Sequence, residues 1–226
     1  MSARVAIVVG AGGELGRATA ENLAGAGFTV AGIDRDEDRL KELPDGIGYE
    51  VGDATDPAAA KDVVDRVAAR LGPPEVLVNT LGTYHTGGLS EATPDDLRRM
   101  IDVNAGAALW LTQAVAPYMQ ERGGGSVVHV AARPGLEPAA GVLTYGVSKA
   151  ALVHLVRSLD LELRPLGIRV NAVAPALLDT AKTRPYLPPE VLAHAVAPAA
   201  IAGIIAFLVS DAAAPVSGAV LPAYGP

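Results

Sequence analysis

Seven short apolar, strand-like runs recur along the chain, separated by longer stretches with helical character, and this alternation is what most narrows the fold. They occupy residues 4–9, 29–33, 48–51, 76–79, 126–130, 169–172 and 219–221. Connectors of helix length suit crossovers between parallel neighbours, so the pattern predicts an α/β chain whose parallel sheet is covered on both faces. The sharpest boundary is Thr93-Pro94-Asp95-Asp96. Thr can cap a helix, Pro suits its first position and the acids favour its positive end, so a helix should run from there to about Arg122 and stop at glycines 123–125.

No stretch rich in Gly, Ser or Pro divides the sequence and no repeat is visible, so residues 1–226 are expected to form one domain. The irregular stretch 179–198, with prolines at 185, 188, 189 and 198, is expected to be a mobile loop over a substrate site, an ordered surface connection being the alternative. Only two Phe and one Trp contribute to a half-hydrophobic composition, so the core must be built from Ala, Val, Leu and Ile. A net charge of −7 argues against a phosphate-tracking surface and hence against nucleic acid as a partner. The absence of cysteine excludes disulfides, thiolate nucleophiles and cysteine metal sites, and fits a cytoplasmic setting. Four scattered histidines predict no metal centre. The apolar run before Gly10 is too brief for a signal peptide, and residues 195–209, interrupted by Pro198, fall short of a membrane span and suggest a buried helix.

The first strand leads into Gly10-Ala11-Gly12-Gly13-Glu14-Leu15-Gly16, with a helix expected to open near Glu14. Glycines at such a turn let backbone N–H groups approach a diphosphate at the helix N-terminus. Asp34, eighteen residues past Gly16 at the end of the second strand, can accept both ribose hydroxyls and would repel a 2′-phosphate, which favours NAD(H); the adjacent Arg35 keeps NADP(H) possible. The alternative is a solvated acidic turn. Tyr145 and Lys149, four positions apart, share one helix face, where an ammonium favours phenolate and pulls the tyrosine below its usual pKa of about 10. Upstream, where a hydroxyl would hold a substrate oxygen, stand Ala131 and Ala132.

Together with Gly52-Asp53-Ala54-Thr55, Leu77-Val78-Asn79-Thr80-Leu81-Gly82, Asn104 and Asn171-Ala172-Val173-Ala174-Pro175, these motifs resemble the short-chain dehydrogenase/reductase family over nearly the whole chain. The resemblance implies a Rossmann-type, doubly wound sheet of seven parallel strands, a small-molecule substrate, and a homodimer or homotetramer built through the long helices. It implies that Tyr145 gives or takes the proton, that Lys149 lowers its pKa and holds the nicotinamide ribose, and that Asn104 anchors a water behind Lys149. It also implies that Asp53 and Ala54 contact adenine, that Asn79, Thr80, Leu81 and Gly82 lie beside the adenosine ribose and nicotinamide, and that Pro175, Ala176 and Leu178 face the carboxamide.

The departures are as informative. The family's serine is Ala132, its TGxxxGxG turn is VGAGGELG with Glu14 for the middle glycine, its NNAG is Asn79-Thr80-Leu81-Gly82, and Ala176 replaces the glycine after the late proline. Loss of one oxyanion donor typically costs about 10² to 10³ in rate. A quinonoid or imine-like ring nitrogen, which develops little oxyanion, would lose less. An alanine in place of the serine is similar to the dihydropteridine reductase branch, which uses NADH. Arg133 can reach the pocket to bind an anion or supply a donor, and Tyr84 and His85 can line its mouth. An NAD-dependent oxidoreductase acting on a small hydrophobic or cyclic substrate is therefore expected. The alternatives are a non-redox lyase, isomerase or cyclase on the same scaffold, and a catalytically weak dinucleotide-binding scaffold protein.

Overall fold

The computed structural model describes residues 4–225. All seven runs are strands: β1 (Val5–Val9), β2 (Thr29–Asp34), β3 (Gly48–Val51), β4 (Pro74–Asn79), β5 (Gly125–Val130), β6 (Ile168–Pro175) and β7 (Val220–Ala223). They form one parallel sheet in the order β3-β2-β1-β4-β5-β6-β7. The order is that of a doubly wound Rossmann fold, which reverses direction between β1 and β4 and opens a crevice at the carboxyl ends of the strands. β4 starts two residues earlier than its apolar run, at Pro74, because proline is tolerated at the first position of a strand.

Helices α1 (Glu14–Gly25) and α8 (Pro198–Val209) pack together on one face of the sheet. On the other lie α3 (Pro57–Leu71), α5 (Ala107–Glu121) and α6 (Leu143–Leu163). As the scarcity of aromatics requires, both cores are aliphatic: Ile7, Leu77, Leu111 and Ile168 line one, and Leu23, Leu40, Ile201 and Ile205 the other. The 195–209 run is apolar on every side, yet only one stripe of α8 is buried; Phe207 is 47% exposed, a correction to the buried helix that hydropathy predicts. Among the described residues no helix is long and apolar enough to cross a membrane.

Thr93 caps as its sequence predicts, its Oγ1 accepting from Asp96 N at 3.1 Å. The helix it opens is not uniform. α4 (Pro94–Ile101) widens into a π-helical turn at Asp102–Gly106 before continuing as α5, and this turn carries Asn104, 1% exposed. Such local widening commonly marks a functional site.

Residues 179–198 contain a short turn at Arg184–Tyr186 and one helical turn, α7 (Pro189–Leu192), four residues long like α2 (Glu37–Leu40). The neck of the loop is closed by Asp179 N to Val196 O at 3.0 Å and Val196 N to Leu177 O at 2.8 Å. Inside it, Arg184 pairs with Asp179 and the Thr180 and Thr183 hydroxyls bond at 3.0 Å. The stretch is a preshaped loop with a tied base.

Candidate functional site

The glycine turn lies at the reversal point of the sheet. Gly10 has φ of +79°, and a side chain there would meet Thr80 Oγ1 at 2.8 Å; a Cβ on Gly16 would stand 2.1 Å from Gly10 O. The glycines are therefore demanded by close packing of β1, α1 and the end of β4. Thr80 Oγ1 donates to Val9 O at 2.7 Å, tying the end of β4 to the glycine turn, and Asn79 Oδ1 accepts from Leu81 N at 3.0 Å within its own turn. Gly13 precedes α1 without any side-chain cap, and Leu15 is buried beneath it.

Asp34 ends β2 beside the glycine turn, its carboxylate accepting from Gly12 N and Asp36 N, each at 3.1 Å. Two hydrogen bonds leave it further acceptor capacity. Asp53 Oδ1 accepts from Thr55 N and Thr55 Oγ1, which holds its carboxyl below the usual range, with a smaller contribution from the Arg35 charge. Ala54 is 3% exposed, its methyl turned into the core.

α6 delivers Tyr145 and Lys149 on successive turns. Lys149, 3% exposed, donates from Nζ to Val130 O at 2.8 Å, and its Nζ stands 6.0 Å from the centre of the Tyr145 ring. This separation corrects the expectation of a depressed tyrosine. Burial pushes the Tyr145 hydroxyl up to about 12, with Tyr84, edge-on at 4.8 Å between ring centres, adding to the shift. Burial also lowers Lys149 to about 8. Desolvation disfavours both charged forms and here outweighs the attraction between them.

Asn104 is held on three sides. Its Oδ1 accepts from Thr83 N at 2.9 Å, and its Nδ2 donates to Thr83 O at 3.0 Å and to Ser148 Oγ at 2.9 Å; Ser148 in turn donates to Tyr145 O at 2.7 Å. Gly82 completes the cluster, since a Cβ there would lie 3.2 Å from Asn104 Oδ1 and 3.3 Å from Lys149 Nζ. A side chain at 82 would fill the approach to both.

Ala132, buried, lies two residues past the end of β5 and leads into the turn that begins at Arg133. Arg133 donates from Nε to Glu137 Oε2 at 2.8 Å, with its guanidinium carbon 4.9 Å from the centre of the Tyr224 ring. It borders a cavity of about 450 Å³ shared with Ala176, Leu177, Val191, His194 and Tyr224. Pro175 is buried at the end of β6, and Leu178 packs at the neck of the loop. Tyr84 is 60% exposed, and His85 Nε2 faces Asp96 at 3.7 Å. Among the described residues no group of three or more His, Asp or Glu side chains is placed to hold a metal.

Ser148, Tyr224, Glu137 and His129 have no place in the spacing argument. Only Ser148, beside Lys149, lay within a recognised motif. His129 is fully buried on β5, its Nε2 3.1 Å from Thr112 Oγ1. Thr112 Oγ1 donates to Ala108 O at 2.7 Å, so the imidazole donates from Nε2.

A family model described as short chain dehydrogenase matches residues 4–190. The chain is 30% identical to a 3-oxoacyl-[acyl-carrier-protein] reductase of Salmonella typhimurium, covering 98% of this chain and 96% of the relative. It is 30% identical to the meso-2,3-butanediol dehydrogenase of Serratia marcescens, over 98% and 93% respectively. A solved 7α-hydroxysteroid dehydrogenase complexed with NADH and 7-oxo glycochenodeoxycholic acid superposes with a TM-score of 0.92 at 30% identity, covering 99% of this chain and 94% of its own. The L-sorbose reductase of Gluconobacter frateurii, complexed with NADPH and L-sorbose, gives 0.91 at 27%, covering 99% and 96%. With matching sequence, strand order and crevice, the chain belongs to the short-chain dehydrogenase family.

Proposed function

We propose that this protein is an oxidoreductase that prefers NAD(H) and uses Tyr145 as proton donor or acceptor on a small hydrophobic or cyclic substrate. Residues 1–226 act as one dinucleotide-binding domain in a homo-oligomer, with the 179–198 loop over the substrate. The observation that carries the reading is the convergence of Lys149 and Asn104 on Gly82, with Tyr145 one turn before Lys149 on α6, at the strand ends that also present the glycine turn and Asp34.

The residues fit a dinucleotide at several points. The uncapped N-terminus of α1 suits a diphosphate, and Asp34 retains acceptor capacity for a ribose diol. The absence of a side chain at Gly82 leaves Lys149 and Asn104 unobstructed there, where a nicotinamide ring would lie in this reading. Asp53, Ala54, Asn79, Thr80, Leu81, Pro175, Ala176 and Leu178 would complete the dinucleotide site in this reading. Glu14 is the misfit. When bound, a nicotinamide supplies hydride transfer.

The chain's own contribution is the proton. With its pKa near 12, Tyr145 stays a phenol at neutral pH and suits the donor role of a reduction. Lys149, near 8, is mostly charged at pH 7 and can stabilise phenolate once that proton has left. Asn104 fixes the backbone at Thr83 and, through Ser148, the first turn of α6. Ala132 offers no hydroxyl, so substrates that accumulate little negative charge on oxygen are favoured, an imine or quinonoid ring among them. The cavity beside Arg133 has apolar walls at Ala176, Leu177 and Val191 and polar ones at Glu190 and His194, and its apolar side would take a hydrophobic or cyclic substrate.

In the test, NADH oxidation by quinonoid and imine substrates is followed alongside NADH binding. Tyr145→Phe should leave the NADH Kd within about threefold but lower turnover by about 10² or more. Ala132→Ser should raise carbonyl reduction by up to about 10² to 10³. Undiminished turnover in Tyr145→Phe would remove the tyrosine from the mechanism. The missing hydroxyl at Ala132 also favours a second reading, a non-redox lyase, isomerase or cyclase, which would convert substrate without consuming NADH.

A further inference from the structure

We infer that Glu14 is a specificity-determining residue of the dinucleotide site, a built-in carboxylate that ties the 179–198 loop across the glycine turn and sets nucleotide affinity by competing with the diphosphate. The inference rests on the proposal that this turn takes a dinucleotide. Glu14 is the first residue of α1 and the acid of its first turn. The unpaired N–H groups there favour one anion, and the chain supplies its own. The side chain then reaches across the crevice, where Oε1 accepts from Ala181 N at 2.8 Å.

The loop presents that amide in a fixed shape. Thr180 N donates to Thr183 Oγ1 at 3.1 Å, Thr183 N donates to Thr180 Oγ1 at 3.2 Å, and Arg184 holds Asp179 through two hydrogen bonds of 2.6 and 3.1 Å. With the neck closed by β-type bonds to Val196, the amide of Ala181 cannot wander far from the turn. The Arg184 guanidinium also lies within the field of Glu14, which helps raise its pKa, after the larger contribution of Asp179. One carboxylate thus balances both the helix end and the loop.

A diphosphate entering this turn brings negative charge to the same helix end. Glu14 is exposed, yet like charges at short range still repel, so an entering diphosphate displaces its carboxylate and the loop loses its tie as it does so. Nucleotide binding and release of the loop are then linked, each opposing the closed tie. An acid in the first turn that merely stabilised α1 would leave nucleotide affinity unaffected.

The test uses the full chain with NADH as the probe. Glu14→Gln keeps a side-chain acceptor and removes the charge; Glu14→Ala removes both. In the nucleotide-free protein, hydrogen exchange at Ala181 N should speed by about tenfold in Glu14→Ala, with sheet amides unchanged as the control for folding. The NADH Kd, from calorimetry or cofactor fluorescence, should fall by about tenfold in Glu14→Gln and by at least as much in Glu14→Ala. Equal exchange at Ala181 in wild type and Glu14→Ala, or an NADH Kd unchanged or raised in both variants, would overturn the inference and leave the oxidoreductase reading standing. If neither wild type nor variants bind NADH at millimolar concentration, both readings fall.

Discussion

His129 shows what burial does to a single side chain. It is fully buried, and desolvation, with the charge of Lys149 adding, pushes its pKa down to about 3 from 6.5. Between those values the unfolded chain binds a proton that the folded one refuses, so stability is complete above about pH 6.5 and is lost as pH falls through the window. The loss amounts to roughly 5 kcal/mol at its limit. His129→Leu should therefore flatten the dependence, its urea midpoint changing less between pH 7 and pH 4 than that of wild type. An equally steep fall in the variant would assign acid sensitivity to other groups. Lys149 and Tyr145 obey the same rule at the alkaline end with opposite signs. Lowering Lys149 to about 8 makes stability rise from there to 10.5, whereas raising Tyr145 to about 12 makes it fall above 10.

Within elements, the glycines divide according to what surrounds them. A Cβ on Gly16 would stand 2.1 Å from Gly10 O, backbone that cannot move without opening the turn, whereas one on Gly203 in α8 would meet nothing within 4 Å. Gly16→Ala should therefore destabilise by more than about 3 kcal/mol or prevent folding. Gly203→Ala should stabilise by about 0.5 to 1 kcal/mol, because alanine loses less entropy in a helix. Thermal melts of the two variants settle the matter, and equal effects would contradict the packing at the turn. The helix over Thr93 to Arg122 was legible at both ends because caps and glycines are local signals. Its π-helical turn at Asp102–Gly106 was not, since it pairs Asn104 with Thr83 and Ser148, which the chain brings together only on folding.

At the scale of the whole molecule, one sheet separates two aliphatic cores. Leu111 lies on one side and Ile205 on the other, both with no exposed surface. Each truncation to alanine should cost about 2 to 5 kcal/mol. If the chain is one cooperative domain, as proposed, the double variant should add within about 0.5 kcal/mol and unfold in one denaturant transition. Two transitions would split the sheet into separately folding parts.

The sequence by itself determined the seven strands, the glycine turn, the Thr93 cap and the Tyr145–Lys149 pairing, because each depends on periodicity or on side chains within a few positions of one another. Tertiary structure decided what depends on burial and on distant partners. Tyr145 was expected to be acidified by its neighbour, but the ammonium turns to Val130 O while burial raises the phenol. Arg133, placed near a pocket by position alone, is engaged by Glu137 and Tyr224. Glu14 stands in the sequence where the family has a glycine, and only folding brings the loop 167 positions away back to meet it. Local chemistry is written in neighbouring letters, whereas solvation and long-range contact exist only once the chain has closed on itself.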